Sequence, residues 1–390
     1  MLNNLKKHIK KIVKMKRLVI KVSFALLFLM PAASMFAQKY IYDVHRTEYH
    51  DDMLFYDVRR IIRLPSVNGL IPVKCDFHIH TVFSDGDLWP TATVREAWQD
   101  GLDAIAITDH TTAEPYKSNV IGGPNSSYEI AKPQAERMGM ILIQGTEITR
   151  SKIDGGHLNA LFINDASKTL DVSTEEAVKE SVRQGGVVIW NHPGWAIDSC
   201  AMFDVNKRLI ESGHIHAVEV FNEAEWYPRA LSWCRDFNLA PTAATDIHYV
   251  TNSFYRISEK VIRPMTIVMA REKTPEGIKQ ALLERKTIAF FRGMLAGNSQ
   301  MLNDFFLASV SVEKVSTITN SRGQQTNYYV FKNSYDVPFV FVLENGRKMT
   351  LHPNSQVIID RPAAVRELKV NIVNLHTYEY ETLEVSIALP

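Results

Sequence analysis

The feature that most constrains this chain is a series of short, unbroken apolar runs, each too brief for a helix. Residues 104–108, 140–143, 187–190 and 217–221 are of this kind, and turn-forming or polar residues flank them. Such a run describes a strand buried on both faces, as in a parallel sheet covered by helices. Residues 73–80, 158–163 and 241–245 extend the series to seven. Helical segments fall between them: residues 91–100 ahead of Gly101, a capping box Ser173-Thr174-Glu175-Glu176 opening a helix that stops at Gly185-Gly186, and Thr274-Pro275-Glu276. Strands alternating with helices predict an α/β domain, and seven strands suit a closed or nearly closed β/α barrel.

The two ends read differently. In residues 1–38, a lysine-rich head precedes an apolar run at 22–30, then Pro31 and small residues. That run is short of the roughly 20 residues of a spanning helix, so the pattern is a secretory signal peptide rather than an anchor. It predicts a secreted or periplasmic protein that meets the membrane only during export. Residues 39–72 are expected to be a lead-in packed on the main domain, which would run over 39–300. Strand-like segments dominate 301–390, with Asn345-Gly346 as a two-residue hairpin turn, and predict a small antiparallel β-sandwich. Three cysteines, Cys75, Cys200 and Cys234, are too few for a disulfide scaffold. A net charge of +1 makes no bulk electrostatic case for nucleic acid.

In a barrel of this kind the chemistry gathers at the carboxyl ends of the strands, and the metal-type side chains fall there. His78 and His80 end the first run, and Asp85 lies in the loop beyond. His110, Glu147, His192, Asp246 and His248 each follow a later run. His157 stands at the front of its run, whose strand must then begin near the same rim. His214 and His216 precede residues 217–221 and belong at the opposite mouth, where plain surface is expected.

Six imidazoles and three carboxylates exceed what one tetrahedral zinc takes. They suit two or three divalent ions, and the mixed nitrogen and oxygen donors fit Zn, Mn or Fe better than Mg or Ca. Three carboxylates offset only half the charge of three dications. The surplus favours an anionic substrate, and a metal-bound hydroxide would be the nucleophile.

Phe77-His78-Ile79-His80-Thr81 with Ser84-Asp85-Gly86, then Thr108-Asp109-His110, Gly145-Thr146-Glu147, Gly156-His157, Asn191-His192-Pro193-Gly194 and Thr245-Asp246-Ile247-His248 together resemble the PHP (polymerase and histidinol phosphatase) superfamily. The resemblance covers roughly residues 70–300. It implies a distorted seven-stranded barrel and a phosphoesterase, in a secreted branch that includes phosphodiesterases. One ion would take His78, His80, Glu147 and Asp246, a second Glu147, His157 and His192, and a third Asp85, His110 and His248. A hydroxide bridging the ions would attack phosphorus, with Glu147, Asp246 and His192 at the reacting centre.

Arg150 and Lys152 follow Glu147 closely and are candidate phosphate donors. Tyr116 and Lys117 could belong to a lid, and Trp195 or Trp226 could stack on a ring-bearing leaving group. The partner expected is thus a small phosphate ester. Two other readings stay open: an amidohydrolase or lactonase on a similar barrel, and a glycan-binding protein whose metals are structural. Amidohydrolases commonly use a bridging lysine where this chain has Glu147.

Overall fold

A computed structural model of the chain describes residues 58–197, 199–255 and 261–390, together with Lys10 and Lys14. The rest of the leader and the lead-in as far as residue 57 lie outside the described residues. Arg59–Pro390 form one compact unit.

Its first half runs β1 (Ile71–Asp76), α1 (Pro90–Gln99), β2 (Ala104–Ile107), α2 (Ser126–Met138), β3 (Ile141–Thr149), β4 (His157–Leu161), α3 (Thr174–Arg183), β5 (Val187–Trp190), α4 (Asp204–Glu211), β6 (Ala217–Asn222), a short β7 (Glu225–Trp226), α5 (Pro228–Asp236) and β8 (Ala240–Ala244). Then come α6 (Thr251–Tyr255), β9 (Met265–Ala270), α7 (Pro275–Leu283), β10 (Thr287–Phe291) and β11 (Met294–Gly297). Side chains set the helix starts. Ser173 Oγ accepts the Glu176 N–H while Glu176 Oε2 accepts the Ser173 N–H, a complete capping box. Thr274 caps α7 by accepting the Gly277 N–H at 3.0 Å.

The central sheet is mostly parallel but mixed. β1, β2 and β3 pair in parallel, as do β5, β6 and β8. β4 runs antiparallel to both β3 and β5, which brings the start of that strand to the carboxyl ends of its neighbours. β9, a strand not anticipated from the sequence, runs antiparallel to β1 and then pairs with β10. One apolar cluster draws Val73, Ala104, Ile143, Leu161, Val187, Ala217, Ala240 and Val268 from eight strands, with Ile278 and Leu282 of α7. The sheet is therefore curled around its own core. β8 ladders onto β6 and faces β9, where the Thr266 hydroxyl bonds both the N–H and the carbonyl of Ala243.

The C-terminal part opens with α8 (Ser299–Ser309), a helix in the start of the stretch read as strand-like. The Asn298 side chain caps this helix, and Leu302, Phe305 and Phe306 bury its inner face. β12 (Val310–Thr319), β13 (Gln325–Asn333) and β16 (Ser355–Pro362) form a three-stranded antiparallel sheet. β14 (Phe339–Leu343), β15 (Lys348–Leu351), β17 (Glu367–His376) and β18 (Thr382–Ala388) are antiparallel among themselves. β17 also pairs in parallel with β11, so the central sheet continues into this region. Phe331 and Phe341 meet between the two layers at 6.2 Å.

Candidate metal centre

β1 ends at Asp76, so His78 and His80 lie just past the ladder and not within it. A single bridge, Ile79 to Ile247, carries the first strand toward the loop after β8. The His80 N–H donates to the Ile247 carbonyl at 3.1 Å and the Asp87 N–H to that of His248 at 2.7 Å. The turn after His80 closes on Asp109, whose carboxylate accepts the Thr81 N–H and the hydroxyls of Thr81 and Ser84. Gly86 is needed there for space: a Cβ on it would stand 2.7 Å from the His80 carbonyl carbon.

The structure brings all nine candidate ligands together. Glu147, on β3, is fully buried at the centre. Its Oε1 lies 3.1 Å from His157 Nδ1, 3.2 Å from His78 Nε2 and 3.5 Å from His192 Nε2; its Oε2 lies 2.5 Å from His110 Nδ1. Asp246 Oδ1 is 2.9 Å from His80 Nε2 and 3.1 Å from His78 Nε2. Asp85 Oδ1 is 3.2 Å from His248 Nε2 and 3.5 Å from His110 Nε2. His78 and His80 form a sealed floor, and Asp85, a third exposed, and His248 form the open side.

These side chains fit a cluster of cations. Buried His78 Nε2, His80 Nε2, Asp85 Oδ1, Glu147 Oε2 and Asp246 Oδ1 have no hydrogen-bond partner, and they converge on one another. Buried polar atoms are otherwise almost always satisfied. Four overlapping groups have ligand atoms mutually within 4.8 Å: His80, Asp85, His110 and His248; His78, His80 and Asp246; His78, Glu147 and His192; His110, Glu147 and His157. Donors about 2.0–2.2 Å from a zinc ion stand roughly 3.3–3.6 Å apart in a tetrahedron. These groups overlap the sets the resemblance implied without coinciding with them. His80 joins the Asp85 side, and Glu147 meets His192 and His157 in two separate groups.

Charge coupling runs through the cluster. Burial alone would push the Glu147 carboxyl up, but the His78 and His110 imidazoles hold it well below the usual range. Burial opposes Asp246 in the same way, and His78 and His80 draw it far down. Asp85 falls to about 2 against its own desolvation, through His248 and His110. Burial dominates at His80 and lowers it to about 4, leaving a neutral ring with a lone pair to give. Two of the nine residues have left-handed backbones, His192 at φ 24° and Asp246 at φ 49°, a conformation costly for side chains other than glycine.

The predicted substrate donors fare unequally. Arg150 gives four N–H bonds to the chain itself, at Thr149 O, Thr111 Oγ1, Thr169 O and Val172 O, which leaves one for a ligand. Lys152 donates to the Trp195 carbonyl and sits 5.2 Å over the Trp195 ring. Trp195 is half exposed and lies 5.7 Å from His157 and 5.6 Å from His192. A cavity of about 130 Å³ between them is lined by Arg150, Lys152, His157, His192, Trp195 and Phe203, among others. Trp226 instead packs on Phe291 and His376. Tyr116 reaches Asp87 at 3.4 Å. His216, expected as plain surface, is half-buried and accepts the Val188 N–H at 3.0 Å.

Sequence reasoning missed the residues that hold the ligands. Glu219, Asn191 and Thr149 bond His78, Glu147 and His110 at 2.9, 2.7 and 2.7 Å. Arg263 and Asp76 form a buried pair beneath His78. Glu219 did carry a signal, being a lone charge inside the apolar run at 217–221.

Carboxylates and imidazoles crowded at the carboxyl ends of a curled α/β sheet, five of them with a buried atom that lacks a hydrogen-bond partner, mark a protein with a site able to bind metal. Known proteins place it further. Residues 76–235 match the PHP domain family. A two-domain protein from Bacteroides vulgatus, containing a predicted PHP-like metal-dependent phosphoesterase, superimposes with a TM-score of 0.79 at 33% identity. That alignment covers 85% of this chain and 99% of the other. An uncharacterized protein of Methanocaldococcus jannaschii is 30% identical over 162 residues, 38% of this chain and 82% of its own length. A 5'-3' exoribonuclease of Haemophilus influenzae is 38% identical over 76 residues, 20% of this chain and 23% of that enzyme. The chain belongs to the PHP family.

Proposed function

We propose that the protein is a metal-dependent phosphoesterase, exported from the cytoplasm, whose preferred substrate is a small phosphodiester. The observation that carries this reading is the convergence of nine ligand-type side chains, five of which carry a buried atom with no hydrogen-bond partner. Two or three bound Zn, Mn or Fe ions would supply the charge that activates water and polarises phosphorus. His78, His80, Glu147 and Asp246 would hold one ion, with Glu147 shared with His157 and His192, and Asp85, His110 and His248 holding the outermost. The chain's own residues do the rest. Glu147 and Asp246 each reach several imidazoles and keep the donor sets in register. Three site carboxylates leave the loaded cluster positive, which favours an anionic ester. Lys152 and Trp195 edge the cavity beside His157 and His192, where a small leaving group would rest, and Arg150 straps the loops of that wall.

A carboxylate at the shared position favours this reading over an amidohydrolase with a bridging lysine. The test is hydrolysis of bis-p-nitrophenyl phosphate, p-nitrophenyl phosphate and simple lactones by the full chain loaded with Mn, Zn or Fe(II). Diester turnover should be the fastest, cease on chelation and return with metal. H80A and D246A should abolish it and keep the far-UV circular dichroism of the parent. Lactone cleavage without phosphate ester cleavage would overturn the proposal. Osmotic-shock fractionation tests the export.

A further inference from the structure

We propose that Glu219 is the positioning residue of the metal centre, setting the tautomer of His78 and the backbone of His192 so that both face one cation. The inference rests on the metal-binding reading of the site and not on the substrate. Glu219 sits in β6, every residue of which is buried. A carboxylate in such a place is costly unless it is hydrogen-bonded, and Glu219 faces His78 Nδ1.

Each of its oxygens has a separate task. Oε1 lies 2.9 Å from His78 Nδ1 and accepts the proton there. With an ion bound, Nε2 is the ring nitrogen left to face it. Nε2 in turn faces Glu147 Oε1 at 3.2 Å and Asp246 Oδ1 at 3.1 Å. Three ligand atoms aimed at one point suit a cation. Oε2 accepts the His192 N–H and the Asn222 side-chain amide, both at 2.8 Å. His192 has its backbone at φ 24°, and the bond from its N–H to Glu219 holds that strained position. One carboxylate thus arranges two members of one ligand group, His78, Glu147 and His192. Bonds of this kind behind metal-bound histidines fix ring orientation and raise ligand basicity.

Glutamine keeps the shape of Glu219 but has a single acceptor oxygen, so it cannot serve both His78 Nδ1–H and the His192 N–H. Aspartate keeps the charge but is one methylene short of spanning the two. The experiment is a zinc titration of the full, chelator-stripped chain against a chromophoric competitor, with the cobalt absorption spectrum read in parallel. E219Q should weaken one ion 10–100-fold and alter the cobalt bands, while the urea midpoint of the stripped protein stays at the parent value. In an H78A background E219Q should cause no further loss. Should E219Q not fold, E219D carries the same test with a smaller loss. Zinc affinity within twofold of the parent overturns the proposal, as does a lower midpoint of the stripped chain with all ions weakened alike, which would mark Glu219 as merely structural. No substrate enters the measurement, so a chain that binds zinc as expected but cleaves no phosphate ester would refute the proposed activity alone.

Discussion

Arg263 offers the sharpest test of how the fold holds this centre. Its side chain is 1% exposed and that of Asp76 is fully buried, with the guanidinium 2.7 Å from Asp76 Oδ2 and 3.0 Å from Asp100 Oδ2. Asp76 also accepts the Thr245 N–H at 3.2 Å and the Thr245 hydroxyl. The trio therefore ties the end of β1 to the end of β8, two residues before His78 and one before Asp246. Replacing Arg263 with methionine keeps most of the volume and strands the Asp76 charge in the interior. Breaking a buried pair from one side costs about 3–5 kcal/mol. Asp76 keeps its bonds from Thr245, which places R263M near the lower end, about 3 kcal/mol. With an m-value of ~3 kcal/mol/M in urea, near the upper end for a unit this large, the midpoint should fall by ~1 M. The double variant R263M/D76N should recover more than half of that, because the fully buried charge is gone and only Asp100, 15% exposed, loses its Arg263 bond. Urea unfolding of the stripped chain, followed by tryptophan fluorescence and far-UV circular dichroism, measures both. A loss below about 1 kcal/mol, or a double variant no better than R263M, would refute the reasoning.

Two further predictions probe the surroundings. His216 is lowered to about 4 by burial, then by Arg285 and His214, and its Nδ1 accepts the Val188 N–H, which favours the neutral ring. The unfolded chain binds this proton first as pH falls, so the stability His216 adds is whole above pH ~6.5 and is lost between there and pH 4. Discounted for partial exposure, the loss is about 1–2 kcal/mol, and H216Q should show a correspondingly flatter fall in urea midpoint over that window; parallel curves would refute it. G86A forces a Cβ to 2.7 Å from His80 backbone, where little can give, and should cost about 1–3 kcal/mol. It should also reduce the zinc retained after gel filtration, whereas G123A, with nothing within 4 Å of its Cβ, should do neither.

The fold was readable where burial leaves a periodic mark. The runs at 104–108, 187–190 and 217–221 became β2, β5 and β6 within a residue, and Ser173 and Glu176 announced their helix through local bonds alone. Strand direction was not readable in this way, because an apolar run looks the same from either end. Only His157, ligand-like yet at the wrong end of its run, hinted that β4 runs against β3 and β5. α2 was obscured by Pro133 within it and by a weak apolar face. The join of β17 to β11 links residues 295–296 to residues 375–376, a pairing no local pattern specifies.

The site divides along the same physical line. A metal ligand has to be histidine, aspartate or glutamate at a strand end, so residue type and place together narrow the choice to a few positions. The residues that orient those ligands face no such chemical restriction. Asn191, Thr149 and Ser84 are ordinary polar residues that reach a ligand side chain by a hydrogen bond. Their roles follow from distance, which the sequence does not contain. Glu219 and Arg263 are the exceptions, because a charge within or beside an apolar run must be compensated in the folded chain. Glu219 has His78, and Arg263 has Asp76 and Asp100. A buried charge is thus the one kind of supporting residue that sequence can flag. Here Glu219 bonds His78 itself, on the sealed floor of the cluster, and Arg263 holds Asp76 two residues before it.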